Sequence, residues 1–362
     1  MIFAKLHLDR SLDSGQNHQN RYAFLDGMRG LAAIIILTRH TGDFFHYGFF
    51  RSYLAVDLFF ILSGFVIAHA YDEKLKNSEI SFRNFLTIRL IRLYPMFLLS
   101  ILLCTILLII GDSLNQTLQQ NIKSALMTIL MLPSHQDGSP RLFPINGAYW
   151  SLFFELVANF IYALARPFLN NSILKIVVFS FLLLLAYISY TQGNLSNGYD
   201  WGSESISAGF VRSIFGIFLG LLLFRYKLYF GKYVNNEPTF AWLAVTVLVL
   251  ILCSPDAGKF NWLIDLLSVS FIFPILILCA AKVQTKNLKS ENTLLMLGSA
   301  SYPIYVLHIP IAGIFLFIFK SNVGSFAPLS GIVLLIFMTW MSLLIEKYYD
   351  IPFRKWLSDR FS

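Results

Sequence analysis

Residues 25–40 read LDGMRGLAAIIILTRH, and the class of fold turns on this stretch. Apart from its ionisable residues it is apolar enough to enter a membrane, and it places Arg29 and His40 eleven positions apart. At about 100° per residue, eleven steps return to within roughly 20° of the same helix face, and at about 1.5 Å per residue they climb roughly 16 Å. One face of a first transmembrane helix thus carries a guanidinium near one membrane surface and an imidazole near mid-bilayer. Ionisable groups at such depth are costly and usually line a functional cavity. The alternative is a helix-end Arg that snorkels and a His bonded to a neighbouring helix.

The rest of the chain agrees with a membrane setting. Its 362 residues are 56% hydrophobic and 13% charged, with a mean hydropathy of +0.64, which excludes a water-soluble domain and reads as an all-α integral membrane protein. Ten spans are expected, near 25–46, 52–71, 93–111, 147–166, 174–190, 205–224, 238–253, 262–281, 300–319 and 327–346. The seventh is short and the ninth contains Pro303 and Pro310. Most of the 28 Lys and Arg residues fall in segments on the side of the N-terminus, so both termini are expected in the cytoplasm. The net charge of +8 is then a topology signal with anionic headgroups as its partners, and calls for no nucleic acid.

The first residues are polar, with Lys5, Asp9, Arg10 and Asp13, and do not resemble a cleaved signal peptide; the first helix serves as its own insertion signal. Cys104, Cys253 and Cys279 lie in or at the ends of apolar spans, which suggests neither a disulfide nor a thiolate metal site. A single membrane domain is expected over 22–348, between cytoplasmic tails at 1–21 and 349–362. In the longest outside loop, LNQTLQQNIKSALMTILML suits an interfacial helix. The turn-rich HQDGSPRLFPINGAYW that follows is expected to cap a cavity.

Polar residues inside the spans are the candidate site. Arg89 and Arg92 in FLTIRLIRLYPMF are three apart, hence on one helix face at the cytoplasmic side, where two guanidiniums form a fork for phosphates or a positive-inside flank. Asp57 in AVDLFFILSGF and Glu155 in WSLFFELVANF enter from outside to depths of about 8 and 12 Å. Either carboxylate can orient the imidazole, or form a structural pair with Arg212 or Arg39. Ser63 and Gly64 favour close helix packing over nucleophilic chemistry. His308, in SYPIYVLHIPIAG, lies between two prolines whose freed carbonyls are expected to face the interior. No His-Glu-x-x-His spacing occurs, and no metal is expected.

Taken in order, LDGMRGLAAIIILTRH, VDLFFILSGFVI, RLIRLYPMF, YWSLFFELVANFIYAL, LGSASYPIYVLHIP and EKYYDIPFRKWL resemble the integral membrane acyltransferase-3 family of sugar and lipid O-acyltransferases. The resemblance spans positions 22–356. It implies a ten-helix bundle in the bacterial cytoplasmic membrane that moves an acyl group, usually acetyl, from cytoplasmic acyl-CoA to an acceptor hydroxyl at the outer face. It implies Arg29 and His40 as the functional core, and maps the family's Arg-x-x-Arg onto Arg89 and Arg92. The chain departs from the pattern at Met28, where Leu is commoner, and at Asp350-Ile351-Pro352, where a shorter Glu-x-Pro arrangement is usual. The esterase-like domain that some relatives append is not expected, so the membrane domain or a partner is expected to handle the acceptor.

The residues and the resemblance join in one mechanism. Phosphates held by Arg29, Arg89 and Arg92 would leave an extended pantetheine arm with its thioester near His40. Neutral His40 is then a general base on an acceptor hydroxyl, or carries the acyl group itself. Asp57 or Glu155 would fix its tautomer. Acyl-CoA is a substrate rather than a resident cofactor, and the acceptor is a carbohydrate or glycolipid of the envelope. Oligomeric state, acyl chain and exact acceptor stay open. The rival class is a multi-pass transporter or exporter in which the same His, Arg and carboxylates form a solute or proton pathway.

Overall fold

Helix α1 spans Ala23–His40 and stops where Thr41 leaves helical geometry at φ −127° and ψ 42°. The expected span ran on to 46. Instead, Thr41 and Gly42 turn the chain into the four-residue α2, Gly42–Phe45, so the imidazole ends its helix. The computed structural model describes residues 22–111, 117–233, 237–283, 287–320 and 322–361. The tail expected at 1–21 lies outside the described residues.

A 3-10 turn leads into α3, Ala55–Lys76, followed by α4, Phe82–Gly111, α5, Thr117–Ile129, α6, Tyr149–Ala165, α7, Asn171–Gln192, and α8, Ser203–Gly231. Next come α9, Pro238–Leu252, α10, Asn261–Leu267, α11, Phe273–Lys282, and α12, Leu288–Phe319. The short α13, Asn322–Ser325, precedes α14, Leu329–Ile345, and α15, Ile351–Phe361. Single π-helical turns join α10 to α11 and α14 to α15. The last helical run therefore passes through the domain boundary expected at 348 and continues to Phe361.

All ten expected segments fall on helices, and seven helical runs among the described residues are long and apolar enough to cross a membrane. Three segments fall short for identifiable reasons. Helix α9 has 15 residues, α6 has 17 and carries Glu155, and α1 carries Asp26, Arg29 and Arg39 within its 18. In α1 and α6 the charges that lower the hydropathy line the cavities described below.

Helix α1 lies along α12, and α3 along α8. The second contact is very close: a Cβ on Gly64 would meet the Ile217 carbonyl, and one on Gly220 the Ile61 carbonyl. Small residues let helix backbones approach where no hydrophobic effect drives them together, as expected for the Ser63-Gly64 step. Helix α5 inverts soluble logic by burying Asn121, Ser124 and Thr128 while exposing Ile122, Leu126 and Ile129. Its apolar residues face outward, as an interfacial helix requires; residues 112–116 of that loop lie outside the described residues.

Helix α12 runs through both of its prolines. Pro310 has no N–H to offer the Val306 carbonyl one turn earlier. That carbonyl accepts instead from Ser100 Oγ at 2.7 Å and Asn146 Nδ2 at 3.3 Å. A freed carbonyl facing the interior thus ties α12 to α4 and to the cap segment.

Candidate active site

Two cavities open from opposite ends of α1. The first, about 410 Å³, is lined by Arg29 and residues of α3, α4, α6 and α12. Arg29 Nε donates to Ser301 Oγ at 2.9 Å and Nη2 to Asp26 Oδ1 at 2.5 Å, the guanidinium staying 22% exposed to the cavity. Arg89 and Arg92 share a face of α4 and both line this cavity, but they are not equivalent. Arg89 is 3% exposed, and its Nη2 donates to Glu155 Oε1 at 2.6 Å and to Ser63 Oγ at 3.3 Å. Ser63 Oγ itself donates to Glu155 at 2.6 Å. Arg92 is exposed and has no hydrogen-bonding or ion-pair partner among the described residues. The expected two-armed phosphate fork is therefore one free guanidinium, Arg92, beside one already neutralised by α6.

The second cavity, about 210 Å³, is lined by His40, Arg39, Tyr53, Arg141, Trp150 and Arg212 among others, and shares Val56 and Tyr305 with the first. The capping segment does cover it, through Arg141, Gly147 and Ala148. Tyr305 is held at the waist between the cavities by its hydroxyl, 2.7 Å from Ser151 Oγ and 3.2 Å from the Ala148 carbonyl.

His40 meets neither carboxylate expected to orient it. Asp57 takes both its oxygens to Arg212, from Nε at 2.9 Å and Nη2 at 2.7 Å, with both side chains 1% exposed. Glu155 belongs to the first cavity and to Arg89. The reason is packing: α3 runs along α8, so the Asp57 face of α3 meets Arg212 rather than α1. Both carboxylates are structural pairs, and neither touches the imidazole.

The neighbour His40 does have is His308, ring centroids 5.1 Å apart and tilted by 41°. His308 Nδ1 lies 2.7 Å from the Tyr305 carbonyl and 3.2 Å from that of Ile304. Carbonyls only accept, so the network assigns the proton to Nδ1 and a lone pair to Nε2. That Nε2 is buried without a hydrogen-bond partner among the described residues.

Sequence reasoning placed Arg29, His40, Arg89 and Arg92 on cavity walls and missed Arg141 and Tyr305. Arg141 sits on a loop, where no helical periodicity reports its direction. Tyr305 lay within a quoted motif, but only the fold shows that it stands between two cavities. Among the described residues no group of three His, Cys, Asp or Glu side chains is placed to hold a metal ion.

Residues 22–347 match the acyltransferase-3 family, described as an acyltransferase domain. The chain is 39% identical over 190 residues to "Protein 2 in picA locus" of Rhizobium radiobacter, an alignment covering 47% of this chain and 97% of that protein. It is 26% identical over 321 residues to "Putative peptidoglycan O-acetyltransferase YrhL" of Bacillus subtilis (strain 168), covering 81% of this chain and 49% of that one. The chain thus spans about half the length of the Bacillus relative. No solved structure matches it. A family match over nearly the whole helical bundle leaves the transporter reading without support: the chain belongs to the acyltransferase-3 family and is an acyltransferase enzyme.

Proposed function

We propose that the protein is a multi-pass O-acyltransferase of the bacterial cytoplasmic membrane. It moves an acyl group, acetyl in the simplest case, from cytoplasmic acyl-CoA to a hydroxyl of an envelope or exported carbohydrate. The observation that carries this reading is the pair of cavities meeting at Val56 and Tyr305, one walled by Arg29 and Arg92, the other by His40. The Lys and Arg bias supports ten spans with both termini inside, so that the Arg29 cavity faces the cytoplasm. The name of the Bacillus relative supports an acetyl group and a glycan acceptor.

In this reading Arg92, helped by Arg29, holds the nucleotide phosphates, and the pantetheine arm extends into the first cavity with its thioester at the waist. The acceptor enters the second cavity. His40 takes the proton of the acceptor hydroxyl as its oxygen attacks the thioester carbon. The new C–O bond forms, the C–S bond breaks, and the CoA thiolate recovers the proton from the imidazolium. In this reading the Tyr305 hydroxyl, which donates to the Ala148 carbonyl in the resting protein, turns its proton to the developing oxyanion. Holding donor and acceptor at one waist supplies the orientation that acyl transfer needs.

The test compares ester-linked acyl groups in purified envelope glycans from cells with the protein, without it, and with His40→Ala. Esters are expected only in the first. Identical ester content in all three refutes the proposal.

A further inference from the structure

We infer that the second cavity is an anion-reading acceptor subsite, in which Arg141, with Arg39 beside it, binds a carboxylate or phosphate carried by the sugar whose hydroxyl faces His40. The position of the reacting hydroxyl rests on the acyl-transfer reading; the anion site does not.

The inference starts from the charges on the cavity wall. Among the described residues, three guanidiniums and no carboxylate line it. Arg212 is neutralised by Asp57. Among the described residues Arg39 has only uncharged partners: Nη1 donates to the Phe50 carbonyl at 2.9 Å, Nη2 donates to Ser196 Oγ at 3.0 Å, and the group lies over the Tyr53 ring at 5.1 Å. The Arg141 guanidinium is exposed, with no side-chain hydrogen bond or ion pair among the described residues. Two positive charges therefore share a small recess whose wall carries no carboxylate of its own to pair with them, an arrangement that a bound anion stabilises.

Arg141 is nonetheless held in place through its backbone. It forms an antiparallel bridge with Asp200, and the neighbouring Leu142 N donates to the Tyr199 carbonyl at 2.8 Å. Nη1 lies over Gly147, where a Cβ would sit only 3.2 Å away, so the missing side chain makes room for the guanidinium. Asp200, the acid across this bridge, forms no ion pair with Arg141 within contact distance. Burial raises its carboxyl above the ordinary range, and the Arg141 charge acts against that shift through space. Asp200 is not on the cavity wall.

The sugar part of the inference comes from what adjoins the recess. Arg39, Tyr53, Ser196, Asn197 and Tyr199 also line an open groove of about 560 Å³, which continues along Gln192, Asn194 and Glu204. Amides, hydroxyls and aromatic faces suit a polyhydroxylated ring, whose hydroxyls can also donate to the Glu204 carboxylate, while a guanidinium pairs with planar carboxylate or tetrahedral phosphate alike. The ligand class is an acidic carbohydrate, with its anionic group beside Arg141 and the chain running into the groove.

The experiment uses the detergent-purified full chain and calorimetric titration with three probes: methyl β-D-glucuronide, glucose 1-phosphate and methyl β-D-glucoside. The wild type is expected to bind an anionic probe about tenfold or more tighter than the neutral one, as a charge-assisted contact provides. Arg141→Gln should erase the difference and Arg141→Lys keep part of it, with elution profile and melting temperature unchanged. Preference for one anionic probe distinguishes carboxylate from phosphate. Equal affinity for all three, binding of none, or a preference unaltered by Arg141→Gln overturns the subsite. Acetyl transfer from acetyl-CoA is scored separately on the same sugars. Anion-selective binding without transfer to any of them supports the subsite and counts against the proposed function, whereas equal binding of all three with transfer to them overturns the subsite and leaves the function standing.

Discussion

Asp57 of α3 grips Arg212 of α8 through a two-pronged pair, Nε to Oδ1 at 2.9 Å and Nη2 to Oδ2 at 2.7 Å, although the two stand 155 positions apart in the chain. Arg212 also donates to the Asn197 carbonyl and lies 5.0 Å over the Trp150 ring. One buried guanidinium thus fixes α3, α8, the groove loop and the wall of the second cavity together.

Asp57→Asn strands that guanidinium without a counter-charge. Removing one partner of a buried pair costs about 3–5 kcal/mol, so the variant is expected to lose folded protein, read as abundance in membranes and melting temperature in detergent. Normal melting with transfer abolished would return Asp57 to the chemistry.

His40→Ala is expected to behave in the opposite way. The imidazole is exposed to its cavity, so little packing is lost, while removing a general base costs about a hundredfold or more in rate. Glycan acylation retained at normal expression would refute its role.

Arg89 and Arg92 are expected to separate. Arg92→Ala removes a free, charge-assisted donor worth about 1.5–3 kcal/mol, so half-saturation by acyl-CoA should rise about tenfold or more with melting unchanged. Arg89→Ala leaves Glu155 unpaired and should lower melting first; Arg89→Ala with Glu155→Ala should recover part of it. Titration of acyl-CoA at fixed acceptor, beside a melting curve, checks both. An unchanged half-saturation in Arg92→Ala would move the donor phosphates elsewhere.

Gly64→Ala drives a methyl group into the Ile217 carbonyl. Overpacking of this kind costs about 1–3 kcal/mol, whereas Gly42→Ala, with nothing within 4 Å of its added methyl, is the neutral control. Equal melting of the two variants would show that α3 and α8 can part without loss.

Much of the site was legible one helix at a time. Periodicity put Arg89 and Arg92 on one face of α4 and set Arg29 and His40 eleven residues apart on α1, and both pairs do line cavities. What periodicity lacked was the partner. Nothing near Glu155 in the chain announces Arg89, 66 residues away, and nothing near His40 announces His308.

The sequence by itself determined the membrane class, the positions of the helical segments and the family. Hydropathy, helical period and ordered motifs are written along a single strand of residues, and need no knowledge of what packs against what. Only the tertiary structure decided which charges are spent on holding helices together and which are left facing a cavity. That outcome depends on which helix faces meet, here on Gly64 and Gly220 letting α3 close onto α8 and on a loop bridge carrying Arg141 to the wall that holds His40. Ion pairs form between faces brought together in space, so their identity appears only once the bundle is assembled.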